Sequence, residues 1–420
     1  MYEVTQLENG LRIATAEMPH MTSVSVGIWV GAGSRYEPSA LNGVCHFIEH
    51  MVFKGTKTRS AKQISQAVEG IGGYLNAFTS EETTCFHARA AHDRFEQLLD
   101  VLADMLLHPR FARTDVKKER DVIKEEISMY LDQPHHQVQE VLNQTLWPGQ
   151  PLGRPITGTP RTLDGINRPR LLSYLRSHYV ASHVVIAAAG RLTHERMVKA
   201  CKPYARRFGN QPGSDWQKVQ ESQNGPQLRL VSRKTEQTQL ALGIRTCSRH
   251  DPRRYALRVL NTILGENMSS RLFQTIREDC GLAYSIYSSP SFFADTGDLV
   301  ISAGLDTQNL HKTLKLIMKA LRQISRRRPS ASELKRACDY LAGQVDLGAE
   351  STDSQMNMLG EQLLGYGRIM TTAEMKRRLR KVTSTEVRAV ARNFFRPERY
   401  SLALVSPMKT ANGLSKLLSF

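Results

Sequence analysis

The sequence of 420 residues contains no apolar run close to the roughly 20 residues that a membrane-spanning helix requires. Its longest clean apolar run is about Val184 to Ala189. The first residues offer neither a basic segment nor an apolar segment, so they do not predict a secretory signal. We therefore expect a protein without a membrane span that is located in the cytoplasm.

Cysteine is scarce and scattered. The six cysteines form no C-x-x-C pair, so neither a disulfide framework nor a thiolate zinc site is indicated. We expect them to be free, buried thiols. Cys45 directly precedes His46. Successive residues of a helix face different directions, so Cys45 is not expected to bind the same metal ion as His46. The six are Cys45, Cys85, Cys201, Cys247, Cys280 and Cys338.

Acidic residues are in deficit, and aromatic residues make up only 7% of the chain. The 57 Lys and Arg against 40 Asp and Glu give a net charge of +17, and the densest basic run is Arg326 to Arg328. Nucleic-acid binding is an alternative that rests on this charge alone, because neither aromatic stacking platforms nor a recognisable module accompany it. We expect a basic solvated surface with no specific nucleic-acid partner, which attracts acidic partners at low salt.

The most informative short motif is H-x-x-E-H, formed by His46, Glu49 and His50. On a helix, these positions lie on one side of a single turn. Two neutral imidazoles at this spacing suit Zn²⁺, and the carboxylate before the second histidine is placed to act as a general base on water. A pattern this short also occurs by chance, so by itself it is only a hypothesis.

A second predicted helix, Asp115 to Leu131, carries two carboxylates on a largely apolar face. At about 100° per residue, Glu119 and Glu126 share that face, whereas Glu125 lies on the opposite side with several lysines. Buried carboxylates are costly unless they are paired or bind a metal, so this face requires a partner. The alternative is a charged helix that is merely solvated.

The second half of the sequence repeats the order of predicted elements in the first half. A chain of this length favours two domains. We predict an α+β protein with two homologous duplicated domains, 1–207 and 227–420, each an antiparallel-rich sheet packed with helices, joined by a polar linker at 208–226. The segment Tyr255 to Leu264 takes the place of the motif helix, so only the first copy holds the histidine pair.

These residues together resemble the inverzincin peptidases, which include pitrilysin, insulin-degrading enzyme and the β-subunit of mitochondrial processing peptidase. The spacings of Glu119 and Glu126 from the H-x-x-E-H motif match that family. The resemblance continues through residues 72–80, 270–278 and 281–285 and covers essentially the whole chain. The sequence looks closest to the processing-peptidase β-subunit and its bacterial single-chain homologues.

The resemblance implies a zinc site with three protein ligands, His46, His50 and Glu126, and one ion per chain. It implies that Glu49 deprotonates the attacking water and that Glu119 orients a ligand histidine. Three protein ligands leave one position open for water, which is typical of a catalytic rather than a structural zinc site.

The resemblance also implies how a substrate is held. Asn76 and Ala77 match an edge strand that pairs with an extended peptide, and Arg277 and Tyr284 match a pair that holds substrate and stabilises the oxyanion. Without the motif, an ordinary edge strand and an ordinary surface pair would be the simpler interpretations. Because Arg277 and Tyr284 lie in the half without histidines, the resemblance implies a two-fold homodimer in which they reach the partner's zinc.

The predicted function is therefore a zinc-dependent endopeptidase that hydrolyses unfolded peptides or short segments in an enclosed dimer chamber. The alternative is a non-catalytic scaffold or processing-enzyme partner of the same fold, although such members lose the histidines that this chain retains. Residues 265–268 replace the glycine-rich loop of the non-catalytic processing subunit, which favours self-pairing. Glu81 and Glu82, near the edge strand, leave room for an acidic wall that would suit basic substrates.

Overall fold

Two β-sheets organise the chain in the computed structural model, which describes residues 2–419. The strands of the first sheet are β1 (Tyr2–Gln6), β2 (Arg12–Glu17), β3 (Ser23–Val30), β4 (Tyr74–Thr79), β5 (Thr84–Ala91) and β6 (Val184–Gly190). The strands of the second sheet are β7 (Gln227–Ser232), β8 (Thr238–Arg245), β9 (Ala283–Phe292), β10 (Gly297–Leu305) and β11 (Tyr400–Ser406).

The two sheets have matching strand orders. The first runs β1-β2-β6-β3-β5-β4 and the second β7-β11-β8-β10-β9, so the second repeats the first without a counterpart of β1. β2 pairs with β6 in parallel, β7 pairs with β11 in parallel, and the other neighbours are antiparallel. The predicted α+β class with duplicated, antiparallel-rich sheets is confirmed.

Helices cover these sheets. Their bounds are α1 (Val44–Val52), α2 (Ala61–Glu69), α3 (Phe95–Leu107), α4 (Arg113–Asp132), α5 (Pro134–Leu146), α6 (Pro160–Gly165), α7 (Arg168–His178), α8 (His194–Ala205), α9 (Arg254–Asn261), α10 (Leu310–Arg326), α11 (Ala331–Ala349), α12 (Thr352–Tyr366), α13 (Thr372–Arg380), α14 (Ser384–Phe394) and α15 (Leu414–Leu418). Two π-helical segments follow α9, Thr262–Glu266 and Phe273–Asp279. Within residues 2–419, no helix has both the length and the apolar character needed to cross a bilayer.

The chain divides into two units that are not continuous in sequence. The first comprises residues up to Ser128 together with Arg154–Gln217 and Asp346–Thr371, and the second comprises the remaining segments. The change of unit between residues 217 and 218 falls inside the predicted linker 208–226, where the structure has no helix or strand. The domains 1–207 and 227–420 thus remain a prediction about the sequence repeat. Residues 129–153 of the first half belong to the second unit, and residues 346–371 of the second half belong to the first unit.

Each unit includes a helix from the other half of the sequence. In the first unit, α12 packs on β2, β3 and β6, and the Trp29 indole N–H donates to Met356 Sδ at 3.3 Å. In the second unit, α5 packs on β7, β8 and β11, and the Arg245 guanidinium donates to the Leu146 carbonyl at 2.9 Å. The central strand β6 is buried along its whole length, so its sheet needs cover on both faces, and these helices supply the second layer.

All six cysteines are free, as expected from their spacing. Five of them are buried, but Cys280 is exposed, so the expectation of uniformly buried thiols is wrong at that position. Cys280 follows directly after the π-helical segment Phe273–Asp279, outside the packed core.

Candidate metal centre

The motif lies on α1, whose N-terminus is held by a buried carboxylate. Gly43 precedes the helix with φ of 95°, a left-handed conformation that glycine tolerates, and it has no side chain to cap the helix. Glu37 supplies the cap: its Oε2 accepts from the Gly43 N–H at 2.7 Å and its Oε1 from the Cys45 N–H at 2.8 Å. The Asn42 amide also donates to Glu37 Oε2, at 2.9 Å. These bonds satisfy N–H groups that a helix start otherwise leaves unpaired.

Burial is the largest influence on the pKa of the Glu37 carboxyl group. Glu37 is 3% exposed, and burial raises its pKa to about 7, while the hydrogen bonds from Cys45, Asn42 and Gly43 act in the opposite direction. The N-terminus of α1 is therefore fixed to the loop that precedes it by an internal polar contact.

One face of α1 packs in the hydrophobic core, and the other carries the two histidines of the motif. Phe47, Ile48 and Met51 are buried in the main core of the first unit. His46 and His50 lie on the other side with their ring centroids 4.5 Å apart. The predicted clustering of the two imidazoles on one side of the helix is what the structure shows.

Glu126 of α4 lies opposite the two imidazoles. Its Oε2 is 3.8 Å from His46 Nε2 and 3.5 Å from His50 Nε2. One ligand atom from each of the three residues lies within 4.8 Å of the others. Two atoms that are each about 2.0–2.1 Å from a tetrahedral zinc ion lie about 3.4 Å apart, so this spacing suits zinc. Glu125 is exposed on the far side of the helix, as its phase predicts.

The chemistry of the three groups also fits a divalent metal. Glu126 Oε2 is buried and has no hydrogen-bond partner in the described part of the chain, which is costly unless a cation faces it. Burial lowers the pKa of His46 to about 3; the nearby His50 acts in the same direction, and Glu119 opposes it. His46 is therefore neutral at physiological pH, which is the form that binds metals.

Glu119 contacts the imidazole of His50 at Nδ1, the ring nitrogen that does not face Glu126. The His50 Nδ1 lies 2.9 Å from Glu119 Oε1, and the Lys54 ammonium lies 2.8 Å from Glu119 Oε2. Burial by itself would raise the pKa of Glu119, but the hydrogen bonds from His50 and Lys54 outweigh it and lower the pKa. An ionised Glu119 accepts a hydrogen bond from the Nδ1–H group of His50, so the Nε2 lone pair of His50 faces Glu126.

Glu49 projects from the same side of α1 toward strand β4. Its Oε2 accepts a hydrogen bond of 2.6 Å from the Thr79 hydroxyl. Burial raises the pKa of Glu49, and the charge of Glu126 adds to this, whereas the Thr79 hydrogen bond and His50 oppose it. The second carboxylate oxygen of Glu49 remains available to take up a proton.

Strand β4 is an edge strand: in the described part of the chain, β5 is its one neighbour in the first sheet. The predicted substrate residues lie in its middle, where Asn76 is opposite His87 and Ala77 is opposite Phe86. The Ala77 N–H donates to the side-chain oxygen of Asn76 at 2.9 Å, so this N–H is directed to the open edge rather than to β5. The position of these residues suits strand addition, and their role remains a prediction.

Arg277 and Tyr284 lie together in the second unit. The Arg277 guanidinium carbon is 5.6 Å from the centroid of the Tyr284 ring, and Tyr284 is 78% exposed. Tyr284 belongs to β9, the edge strand of the second sheet that corresponds to β4. The structure thus brings this predicted pair together on the unit that lacks the histidines.

Sequence reasoning missed three residues that support the site: Glu37, Lys54 and Thr79. Of these, only Thr79 had a signal, because it lies in the stretch 72–80 that carries the resemblance. The suggested acidic wall is wrong at Glu82, which is buried and forms an ion pair of 2.6 Å with Arg35. Burial also raises the pKa of Glu81.

The duplicated α+β fold and the H-x-x-E-H helix facing a distant glutamate define the inverted class of zinc peptidase sites. The chain belongs to peptidase family M16. Residues 12–160 match the family described as Insulinase (Peptidase family M16), and residues 165–341 match the Peptidase M16 inactive domain. The predicted family is thereby confirmed.

Several relatives are similar over nearly the whole chain. An uncharacterized zinc protease of Streptomyces coelicolor is 39% identical, covering 96% of this chain and 89% of the relative. The uncharacterized zinc protease YmxG of Bacillus subtilis is 38% identical, covering 95% and 97%. A probable mitochondrial-processing peptidase subunit beta of Arabidopsis thaliana is 33% identical, covering 97% and 78%.

A solved structure also shares the fold. The crystal structure of a protease from Helicobacter pylori aligns with a TM-score of 0.91 at 19% identity, covering 97% of this chain and 99% of the other. At this identity the likeness concerns the fold alone.

Proposed function

We propose that this chain is a zinc-dependent endopeptidase that hydrolyses unfolded peptides or short segments. The observation that carries the proposal is the convergence of His46, His50 and Glu126 around one point, with Glu49 beside them. The relatives named as zinc proteases support a zinc metallopeptidase.

His46, His50 and Glu126 would hold the ion through two imidazole nitrogens and one carboxylate oxygen. A zinc ion bound there supplies Lewis acidity, which polarises a carbonyl and makes water more acidic. The hydrogen bond from His50 Nδ1 to Glu119 would keep the Nε2 atom of His50 available as a ligand.

Glu49 performs the proton transfers. It takes a proton from the attacking water at its free carboxylate oxygen, because Oε2 is engaged by Thr79. It then returns the proton to the leaving amine of the cleaved peptide. Partial burial supports this role, since it brings the carboxylate nearer to the basicity that such transfers require.

Strand β4 would receive the substrate. An extended peptide pairs with the open edge at Asn76 and Ala77, and this pairing fixes the scissile bond before attack. Strand addition requires a segment that can become extended along β4, which favours unfolded peptides and flexible segments.

The second half would complete the site from another protomer. We expect a cytoplasmic homodimer in which Arg277 and Tyr284 of one protomer contact substrate bound to its partner, inside an enclosed chamber. The match of residues 165–341 to an inactive domain is consistent with a half that supports catalysis without binding metal. A wholly non-catalytic scaffold is the weaker alternative, because every residue of the metal site is retained.

The first experiment measures zinc content and hydrolysis of an unfolded fluorogenic peptide by the purified chain. We expect about one zinc per chain, loss of hydrolysis with a chelator and recovery when zinc is returned. A zinc-loaded protein that cleaves no unfolded peptide would contradict the proposal.

A mixing experiment tests the shared site. Glu49→Gln and Tyr284→Phe are each expected to be nearly inactive, but mixed dimers contain one site with both groups intact. Random mixing should recover about a quarter of the wild-type rate, since half of the dimers are mixed and each has one complete site. No recovery after verified subunit exchange would contradict a site shared between protomers.

A further inference from the structure

We propose that Thr79 is a positioning residue for Glu49 and that it connects the catalytic base to the strand that receives substrate. This inference rests on the proposed function. The contact that carries it joins two elements: the Thr79 hydroxyl of β4 donates to Oε2 of Glu49 on α1 at 2.6 Å.

The direction of this hydrogen bond follows from its neighbours. Thr79 Oγ1 also lies 3.5 Å from Thr84 Oγ1, which could in principle take its proton. Thr84 is fully buried and donates its own proton to the Ala32 carbonyl at 2.8 Å, so it is not a donor to Thr79. The separation of 3.5 Å also exceeds the normal range for a hydrogen bond between two hydroxyl groups, so Thr84 is not the acceptor of the Thr79 proton either. The Thr79 hydroxyl instead donates to the carboxyl oxygen Oε2 of Glu49 at 2.6 Å, so the single Thr79 proton is committed to Glu49.

Thr79 can hold the carboxylate because its own side chain has little freedom. A β-branched residue in a strand has a restricted χ1 angle, so the backbone of β4 fixes the hydroxyl. Glu49 has three side-chain torsions and would otherwise sample several orientations on its helix. Fixing Oε2 leaves the other oxygen as the proton acceptor in one defined direction.

The same strand carries Asn76 and Ala77, two to three residues earlier, at the edge where a peptide would pair. Among the strands of residues 2–419, β4 pairs with β5 on one side and has no strand on the other. A peptide added to the other side would restrain β4 from both sides, and with it the hydroxyl that orients Glu49. Substrate binding and the orientation of Glu49 therefore both depend on strand β4. Displacement of a catalytic base by about 1 Å is enough to lower the rate by about 100-fold.

The test compares Thr79→Val, which keeps the shape and removes the hydroxyl, with Thr79→Ser, which keeps the hydroxyl. Thr15→Val is the control: Thr15 is likewise a strand threonine whose hydroxyl forms a side-chain hydrogen bond, to His194 at 2.8 Å, but it lies on β2 and is buried, whereas Thr79 is partly buried. We expect Thr79→Val to lower kcat by about 10- to 100-fold with KM and zinc affinity unchanged. Thr79→Ser should retain most of the rate, and Thr15→Val should leave kcat unchanged.

A double-mutant cycle on the metal-free protein separates this inference from the proposed function. The melting-temperature shift caused by Thr79→Val should be clearly smaller in a Glu49→Ala background than in the wild type, because the contact is already lost. Additive shifts, or an unchanged kcat in Thr79→Val, would overturn the positioning role. If the zinc-loaded wild type hydrolyses no peptide, the proposed function fails, and the cycle still decides whether Thr79 holds Glu49.

Discussion

The two units share a strand order but differ in what their surfaces and helices carry. Nearly all of the net charge of +17 lies in the second unit, while the first unit is close to neutral. The first unit also contains the buried carboxylates Glu37, Glu119 and Glu82. The same strand order thus supports a nearly neutral unit with the metal site and a basic unit without it. The strand order depends on the apolar core, whereas the metal site depends on a few side chains that the core does not determine.

The helices α1 and α9 show the same contrast locally. Both follow the second strand of the repeated unit, and both bury an apolar face. α1 presents two imidazoles and a carboxylate on its other side, whereas α9 presents no histidine and continues into the π-helical segment Thr262–Glu266. Substitutions in both units test whether the catalytic groups belong to the first unit alone.

Glu49→Gln should have the largest effect on turnover. Gln keeps the shape of the side chain but cannot take up a proton, so we expect kcat to fall by about 10²- to 10⁴-fold while zinc and peptide binding persist. Steady-state kinetics, with zinc analysis and peptide binding on the same sample, checks this. Unchanged turnover would remove Glu49 as the base.

Tyr284→Phe tests whether the second unit contributes to the reaction. Loss of one hydrogen-bond donor to the oxyanion should lower kcat by about 10²- to 10³-fold with zinc retained. Tyr287 of the same strand is a control, because it is also exposed and Tyr287→Phe should leave the rate near that of the wild type. A normal rate in Tyr284→Phe would show that the second unit makes no contact in the transition state.

Glu119→Gln should weaken zinc binding without removing a ligand. The amide cannot hold His50 and Lys54 as the carboxylate does, so we expect zinc affinity to fall by about 10- to 100-fold. Competition with a fluorescent chelator measures this. Equal affinities for the variant and the wild type would show that Glu119 does not orient His50.

Glu37→Gln should have the smallest effect on zinc. The amide places a donor where the Gly43 or Cys45 N–H needs an acceptor, so the start of α1 loses about 1 kcal/mol and the melting temperature falls by about 2–4 °C. Zinc affinity should fall only a few-fold, because His46 and His50 remain on the helix.

The second unit provides the matched control for that change. Asp251 Oδ1 accepts from the Arg253 N–H at 2.8 Å at the start of α9, so Asp251→Ala should give a similar thermal shift. Its zinc affinity should equal that of the wild type. An equal loss of zinc affinity in both variants would mean that general destabilisation, and not the start of α1, controls the metal site.

Much of the fold could be predicted from local patterns. Ser60 is of a residue type that favours helix starts, and in the structure it caps the helix Ala61–Glu69. The helical phase of α4 places Glu126 inward and Glu125 outward, as predicted. Such features depend on residues a few positions apart, whose spacing is visible in the sequence.

The exchanged helices could not be predicted in this way. α12 has an ordinary apolar periodicity, but nothing in its residues specifies that it packs on the first sheet rather than the second. The choice depends on the shape of both sheet faces and on contacts such as Ser25 with Asp353, which are far apart in the sequence.

The sequence by itself determined the repeat, the helical side shared by His46, Glu49 and His50, and the family, because periodicity and spacing are properties of a linear chain. Only the tertiary structure decided that Glu37 caps α1, that Lys54 and His50 share Glu119, and that Thr79 contacts the base. These contacts join separate elements, and their distances are set by the packing of whole elements against one another.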